Sequence, residues 1–176
     1  MKESFLKSIE KRRSIYNITN TSPITDDEIM EIINIAVKHS PSAFNSQSAR
    51  IIVLFGTHHE KLWDITTETL RKIVPVEAFG STEQKMKQFK NGYGTILFFE
   101  DQNIIKKLQN DFALYKDNFP IWSEQSSGML QFIIWTAISD NGLGASLQHY
   151  NPLIDKEVSQ TWNINASWKL IAQMPF

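Results

Sequence analysis

Cysteine is absent from the 176 residues. With it go disulfides, thiol nucleophiles, thiolate zinc sites and Cys-ligated iron–sulfur clusters. An excess of one charge is missing too: 18 Lys and Arg stand against 19 Asp and Glu, a net charge of -1. So balanced a chain has no bulk field with which to hold nucleic acid or an anionic membrane. The longest mainly apolar run, Gly128 to Ile138, falls well below the roughly 20 residues a membrane helix needs. The opening MKESFLKSIEKRRS is too charged to contain the apolar centre of a signal peptide. There is no G-x-S-x-G elbow and no P-loop. A soluble, cytoplasmic protein is expected, folded as one domain over residues 1–176 because two would be cramped at this length.

What remains is a helix-rich pattern broken by three apolar runs. Phe5, Leu6 and Ile9 have helical spacing within Ser4 to Arg13. After Pro23, Thr25 and Glu28 have the spacing of a capping box, and Ile29, Ile32, Ile33, Ala36 and Val37 follow as a helical stripe ending near His39. RIIVLF (Arg50–Phe55), TILFF (Thr95–Phe99) and WKLIAQM (Trp168–Met174) read as buried strands. Helices are predicted over 58–74, 81–90, 104–117, 120–140 and 152–160. The 120–140 helix is apolar nearly all round at Met129 to Trp135, so it is buried on more than one side or forms a subunit interface. This order of elements suggests an α+β sandwich rather than an alternating parallel sheet. His58-His59-Glu60 is expected to be a solvated helix start. Adjacent helical residues point about 100° apart and do not converge on one metal ion.

Three polar clusters stand out. Lys11-Arg12-Arg13-Ser14 suits a phosphate, whose oxygens guanidinium forks match in pairs, although basic residues also favour helix C-termini. In Ser40 to Arg50 (SPSAFNSQSAR), Ser42, Asn45, Gln47 and Ser48 present paired donors and acceptors suited to a heteroaromatic edge. The same residues also satisfy loop backbone through Asx and Ser turns. Asn141 to Tyr150 holds Gly142, Gly144, Ala145 and Ser146, small enough to let a flat ligand approach backbone. It reads equally as a helix cap and turn.

Taken together and in order, Arg12-Arg13-Ser14-Ile15, Ser40-Pro41-Ser42-Ala43-Phe44-Asn45-Ser46-Gln47 before a strand, and Gly142-Leu143-Gly144-Ala145-Ser146-Leu147 after a long apolar helix resemble the flavin-dependent nitroreductase family. Arg13-Ser14-Ile15-Tyr16, Ser42 to Gln47 and Ser146-Leu147-Gln148-His149-Tyr150-Asn151-Pro152 are similar to its short branch, that of the fungal fatty-acid-repression-mutant proteins and the bacterial copper-induced nitroreductase. The likeness spans essentially the whole chain. It implies a nitroreductase-like three-layer α/β/α sandwich of the α+β class, with a mainly antiparallel central sheet and a long buried central helix, assembled as a homodimer. It also implies FMN as cofactor, NADH or NADPH as electron donor, and ping-pong reduction of nitroaromatic or quinone-type small molecules.

Carried onto this sequence, the resemblance gives Arg12, Arg13 and Ser14 the FMN phosphate and ribityl end. Tyr16 stands where many relatives have a second basic residue. Pro41, Ser42, Asn45 and Gln47 approach the flavin, Ser42 from the partner subunit, and Leu147, Gln148 and His149 lie by its ring. Lys87 or Lys90 corresponds to a further basic contact, with the register open. No catalytic dyad and no metal are expected, because the flavin carries the chemistry; His149 is the candidate for a hydrogen bond to flavin or acceptor. Family chains continue beyond the strand at Trp168–Met174 with a basic phosphate ligand and an arm around the other subunit. This sequence stops at Phe176, so either it is truncated or an FMN anchor is absent, and both flavin affinity and dimer stability turn on which. The alternatives are a flavin-binding stress or lipid-responsive regulatory protein with little turnover, and a flavin-free structural dimer.

Overall fold

The computed structural model of the chain describes residues 4–176. The three apolar runs become β1 (Ala49–Phe55), β2 (Gly94–Asp101) and β3 (Trp168–Pro175), joined antiparallel in the order β1-β2-β3. β2 is central and buried on both faces, which its unbroken apolar run demands. Its side chains alternate: Ile96 and Phe98 enter one apolar cluster, Leu97 and Phe99 another. A register shift between Phe98 and Phe99 marks the pairing with β3.

Among the described residues, seven α-helices surround the sheet: α1 (Phe5–Lys11), α2 (Asp26–His39), α3 (Gly56–Arg71), α4 (Phe79–Lys90), α5 (Gln102–Asp111), α6 (Phe119–Asp140) and α7 (Asp155–Thr161). The capping box of α2 forms as expected. Glu28 N–H donates to Thr25 Oγ1 at 3.3 Å, and Thr25 N–H donates to Glu28 Oε2 at 2.8 Å. Ile29, Ile33 and Ala36 of α2 then pack with Leu130, Ile134 and Ile138 of α6 against the Ile96/Phe98 face. On the Leu97/Phe99 face lie Leu62 and Trp63 of α3, Met86 and Phe89 of α4, and Val158 of α7. The expectation of an α+β fold with an antiparallel sheet is met by these helices and this small sheet.

Three local expectations need correction. The helix expected to start at His58 starts at Gly56, directly off β1. Gly56 has φ +51, the left-handed region that lets the chain turn from strand to helix in one residue. The helix expected to run to Asp117 stops at Asp111, where Phe112 leaves helical backbone at φ -130, ψ 68. His59, expected in solvent, is 1% exposed. It sits with Leu62, Trp63 and Thr66 on the buried face of α3, one i, i+3, i+4, i+7 stripe.

The hydrogen bonds around His59 fix its tautomer. Lys90 O is only an acceptor, so Nε2 carries the proton and donates to it at 3.2 Å. Nδ1 then accepts from the Thr95 hydroxyl at 2.8 Å, and Thr95 Oγ1 accepts from Trp63 Nε1 at 3.0 Å. Burial holds the imidazole pKa below its ordinary value. A base that resists its proton only when folded stabilises the fold above the unfolded-state pKa and loses that contribution below it. The wild type is therefore expected to lose stability, relative to a His59→Asn variant, as pH falls below about 6.5. Paired denaturant titrations across that range check it.

Among the described residues, no helix is long and apolar enough to cross a membrane, and no group of three or more His, Cys, Asp or Glu side chains is placed to hold a metal ion.

Candidate functional site

The chain leaves α1 at Arg12, whose N–H donates to Ser8 O at 3.0 Å, and turns to run beside the segment after α6. Ser14 pairs with Ala145 in a parallel bridge, and Ile15 N–H donates to Ala145 O at 2.9 Å. The approach is close enough to need a glycine. A Cβ on Gly144 would lie 2.9 Å from Ile15 Cγ2. The first and third polar clusters of the sequence thus form one corner.

Arg12 lies with its guanidinium 4.3 Å from the ring centroid of Trp135 on α6, a cation–π contact. Its Nε is buried and has no hydrogen-bond partner among the described residues. Arg13 is exposed and spends one N–H on Arg12 O at 2.8 Å; Ser14 is exposed. Tyr16 is also exposed, with its ring 6.3 Å from that of Phe89. Beyond Ala145, Ser146 N–H donates to Pro175 O, while Gln148 exchanges backbone bonds with Gln173 at 2.7 and 2.9 Å. Gln148 Nε2 donates to Ser146 Oγ at 3.1 Å, Leu147 packs against the α2/α6 cluster, and His149 is exposed. β3 therefore holds the Ser146–Gln148 backbone from behind.

The second cluster lies elsewhere. Pro41, Ser42, Asn45 and Gln47 line a cavity of about 330 Å³, together with Lys38, Ser48, Arg50, Glu100, Ser126 and Leu130. None of Arg12, Arg13, Ser14, Leu147, Gln148 or His149 lines it. Both places border α6. Trp135 is five residues past Leu130 and nine past Ser126, so they are about 8–14 Å apart along the helix axis. Within one chain the basic corner and the loop are neighbours along a helix, not two walls of one slot.

The loop is tightly built and costly. Phe44, Asn45 and Gln47 all have φ near +50, a region that non-glycine residues enter at a cost of about 1 kcal/mol or more each. Local bonds compensate: Gln47 N–H donates to Ser42 Oγ at 3.1 Å, Gln47 Nε2 to Asn45 Oδ1 at 3.2 Å, and Arg50 Nη1 to Gln47 O at 2.9 Å. The turn projects Phe44 onto Trp122, 5.9 Å away and 16° from parallel, with Phe112, Tyr115 and Phe119 around it. Trp122 in turn meets Tyr115 and Phe119, so the five rings form one aromatic group.

Lys87 pairs with Glu83 at 3.4 Å and Lys90 with Asp64 at 2.6 Å, so both have protein partners on α4 and α3. Sequence reasoning missed Glu100. It is 1% exposed, accepts from Ser48 Oγ through Oε2 at 2.5 Å, and leaves Oε1 buried with no partner among the described residues. Desolvation pushes its carboxyl up to about 7, against the lowering effects of Ser48 and Arg50. The signal was the alternation of β2, which puts Glu100 on the same face as Ile96 and Phe98.

The sequence matches the profile of the Nitroreductase family over residues 9–176. It is 33% identical to HBN1 and 30% identical to the nitroreductase FRM2, both of Saccharomyces cerevisiae, over 98% of this chain and 86% of each relative. The structure is similar to that of the nitroreductase CinD from Lactococcus lactis in complex with chloramphenicol. The TM-score is 0.87 at 48% identity, covering 98% of this chain and 87% of that one.

Proposed function

The chain belongs to the nitroreductase family, and from that premise we propose that it is an FMN-dependent oxidoreductase, taking electrons from NADH or NADPH and reducing nitroaromatic or quinone-type acceptors in ping-pong turnover. The observation that carries the reading is the Ser14–Ala145 pairing, which sets two arginines and a free-standing hydroxyl beside a glycine turn. That donor set suits a phosphate monoester. Guanidinium N–H groups match its oxygens in pairs, and Arg12 Nε is a buried donor still lacking an acceptor. The similarity to CinD, known also in complex with 4-nitrophenol, supports small aromatic acceptors.

When bound, FMN supplies the two-electron chemistry, and the protein supplies binding and orientation. Arg12, Arg13 and Ser14 hold the phosphate. Trp135 fixes the Arg12 guanidinium from below, which reduces the entropy lost on binding. The Ser146–Gln148 backbone, pinned to β3, offers a rigid edge, and His149 stands free to donate a hydrogen bond. Ser42, Asn45 and Gln47, one cavity away in the same chain, are assigned to the site of a second copy. A homodimer is therefore part of the proposal, supported by the outward-facing Met129 and Phe132 of α6. The whole of residues 1–176 is read as one FMN-binding domain.

Two measurements test this. Protein incubated with FMN and desalted should remain yellow, bleach with NADH or NADPH without oxygen, and recover on adding a nitroaromatic. Colour without bleaching would favour a regulatory flavin binder. Arg13→Ala should fold normally by circular dichroism and weaken FMN binding by about 1.5–3 kcal/mol, the worth of a charge-assisted hydrogen bond. Unchanged affinity in a fluorescence titration would contradict the phosphate assignment.

A further inference from the structure

Glu100 has no part in holding a phosphate, yet it is built into the wall of the cavity beside the Ser42–Ser48 loop. Alternation along β2 puts its side chain on the face of Ile96 and Phe98, toward α6. Ser126 and Leu130 of that helix line the same cavity. The carboxyl is only half satisfied. Ser48 Oγ donates to Oε2 at 2.5 Å, while Oε1 is buried with no partner among the described residues. A buried carboxylate is tolerated at low cost only when it is paired and its remaining lone pairs are hydrogen-bonded. Within the chain, nothing supplies the second donor.

The neighbouring charges are engaged elsewhere. Arg50 of β1 directs its guanidinium to Gln47 O, Ala49 O and Asp101 Oδ2. Glu124 of α6 is paired at 2.9 Å with Lys169, the residue opposite Glu100 on β3. Asp101 and Glu124 both add like charge to Glu100. Lys38 at the end of α2 lines the cavity but is exposed, where water screens it. The charge that is both buried and uncompensated here is therefore negative. The space beside it is about 330 Å³, within the range of small-molecule sites. Its walls mix apolar Val37, Pro41, Ala49 and Leu130 with the hydroxyls of Ser42 and Ser126. Such a space suits a compact apolar body with one N–H-bearing cationic end.

We propose that this cavity is a binding site for a small organic cation, a primary ammonium or amidinium on an apolar body, whose N–H group bonds Glu100 Oε1. The site lies within one chain and goes beyond the flavin reading, on which it does not depend. It also gives a reason for a residue that weakens the free protein. An unpaired carboxylate in a dry wall lowers stability, and recognition of a ligand is the usual return for such a residue.

The test is calorimetric titration of the full chain, without added FMN, with benzamidine and with its neutral counterpart benzamide. At about pH 8 the carboxyl is ionised, since burial raises it to about 7. Benzamidine should bind saturably, and at least about ten-fold more tightly than benzamide, the difference that one charge-assisted hydrogen bond makes. Glu100→Gln, checked for folding by circular dichroism, should lose that preference. Ser126→Leu narrows the cavity from α6 and leaves the carboxyl untouched; it should weaken benzamidine binding by about ten-fold as well. Four results would overturn the site: no saturable binding, equal affinity for the two probes, a preference that survives Glu100→Gln, or wild-type affinity in Ser126→Leu. With no flavin in the cell, each is read separately from the colour and Arg13→Ala measurements.

Discussion

Trp63→Ala is expected to destabilise the fold by about 3–5 kcal/mol, the usual cost of deleting a large aromatic ring from a core. Trp63 has no exposed surface and packs on Phe89, 4.8 Å between ring centroids, and edge-on to Tyr150. Truncation does more than open a cavity. The indole N–H is one of two groups bound to the Thr95 hydroxyl, His59 being the other, so its loss unbalances a buried three-membered network. Trp63→Phe separates the contributions: it retains much of the packing but leaves Thr95 with one partner. It should cost clearly less than the alanine variant. Urea denaturation of the two variants beside wild type gives both figures, and an alanine loss below about 1 kcal/mol would mean that this half of the core is not cooperative with the rest.

Glu100→Gln is expected to do the opposite, stabilising the protein by about 3 kcal/mol at pH 8. The sign follows from linkage. The folded carboxyl is raised to about 7 from an ordinary 4.5, so folding favours its protonated form. Its favourable share is complete below pH 4.5 and is lost as pH rises to about 7, above which the folded state carries an ionised group in a dry pocket. Glutamine removes that liability. The gain should therefore shrink as pH falls and vanish below about pH 3.5, where the wild-type carboxyl is neutral in both states. His59 works against this trend: its buried neutral ring costs stability as pH falls below about 6.5. The two effects overlap in one pH window with opposite signs, so only variant-minus-wild-type curves separate them. A Glu100→Gln gain independent of pH would mean that packing, and not charge, is responsible.

Much of the fold was legible because periodicity and capping are local. Thr25 and Glu28 announced the start of α2, and the three apolar runs gave all three strands within two residues. The misreadings have physical causes. The helix predicted from His58 starts two residues earlier because Gly56, directly after β1, is itself the hinge into α3. At His58-His59-Glu60 polarity outweighed period: counting forward to Leu62, Trp63 and Thr66 would have put His59 inside. Glu100 was lost because the strand seemed to end with its last apolar residue, and the buried face runs one alternation further. Of the candidate site, residue types and order were readable; the pairing of Ser14 with Ala145, and the separation of that corner from the Ser42–Gln47 loop within one chain, depend on contacts far apart in sequence and had no local signal. The left-handed backbone at Phe44, Asn45 and Gln47 had no signal beyond asparagine itself, because it depends on bonds to Ser42, Arg50 and β2.

The Ser14–Ala145 bridge also bears on the order in which the molecule can be made. Residues 12–16 leave the ribosome early, but their partner strand emerges some 130 residues later, and β3, which backs that partner, later still. At the usual pace of about 5–20 residues per second, the basic corner spends several seconds or more without its other half. The corner is thus completed only after Ala145 has emerged, and a nascent chain stalled anywhere before it carries both arginines without the segment that pairs with Ser14.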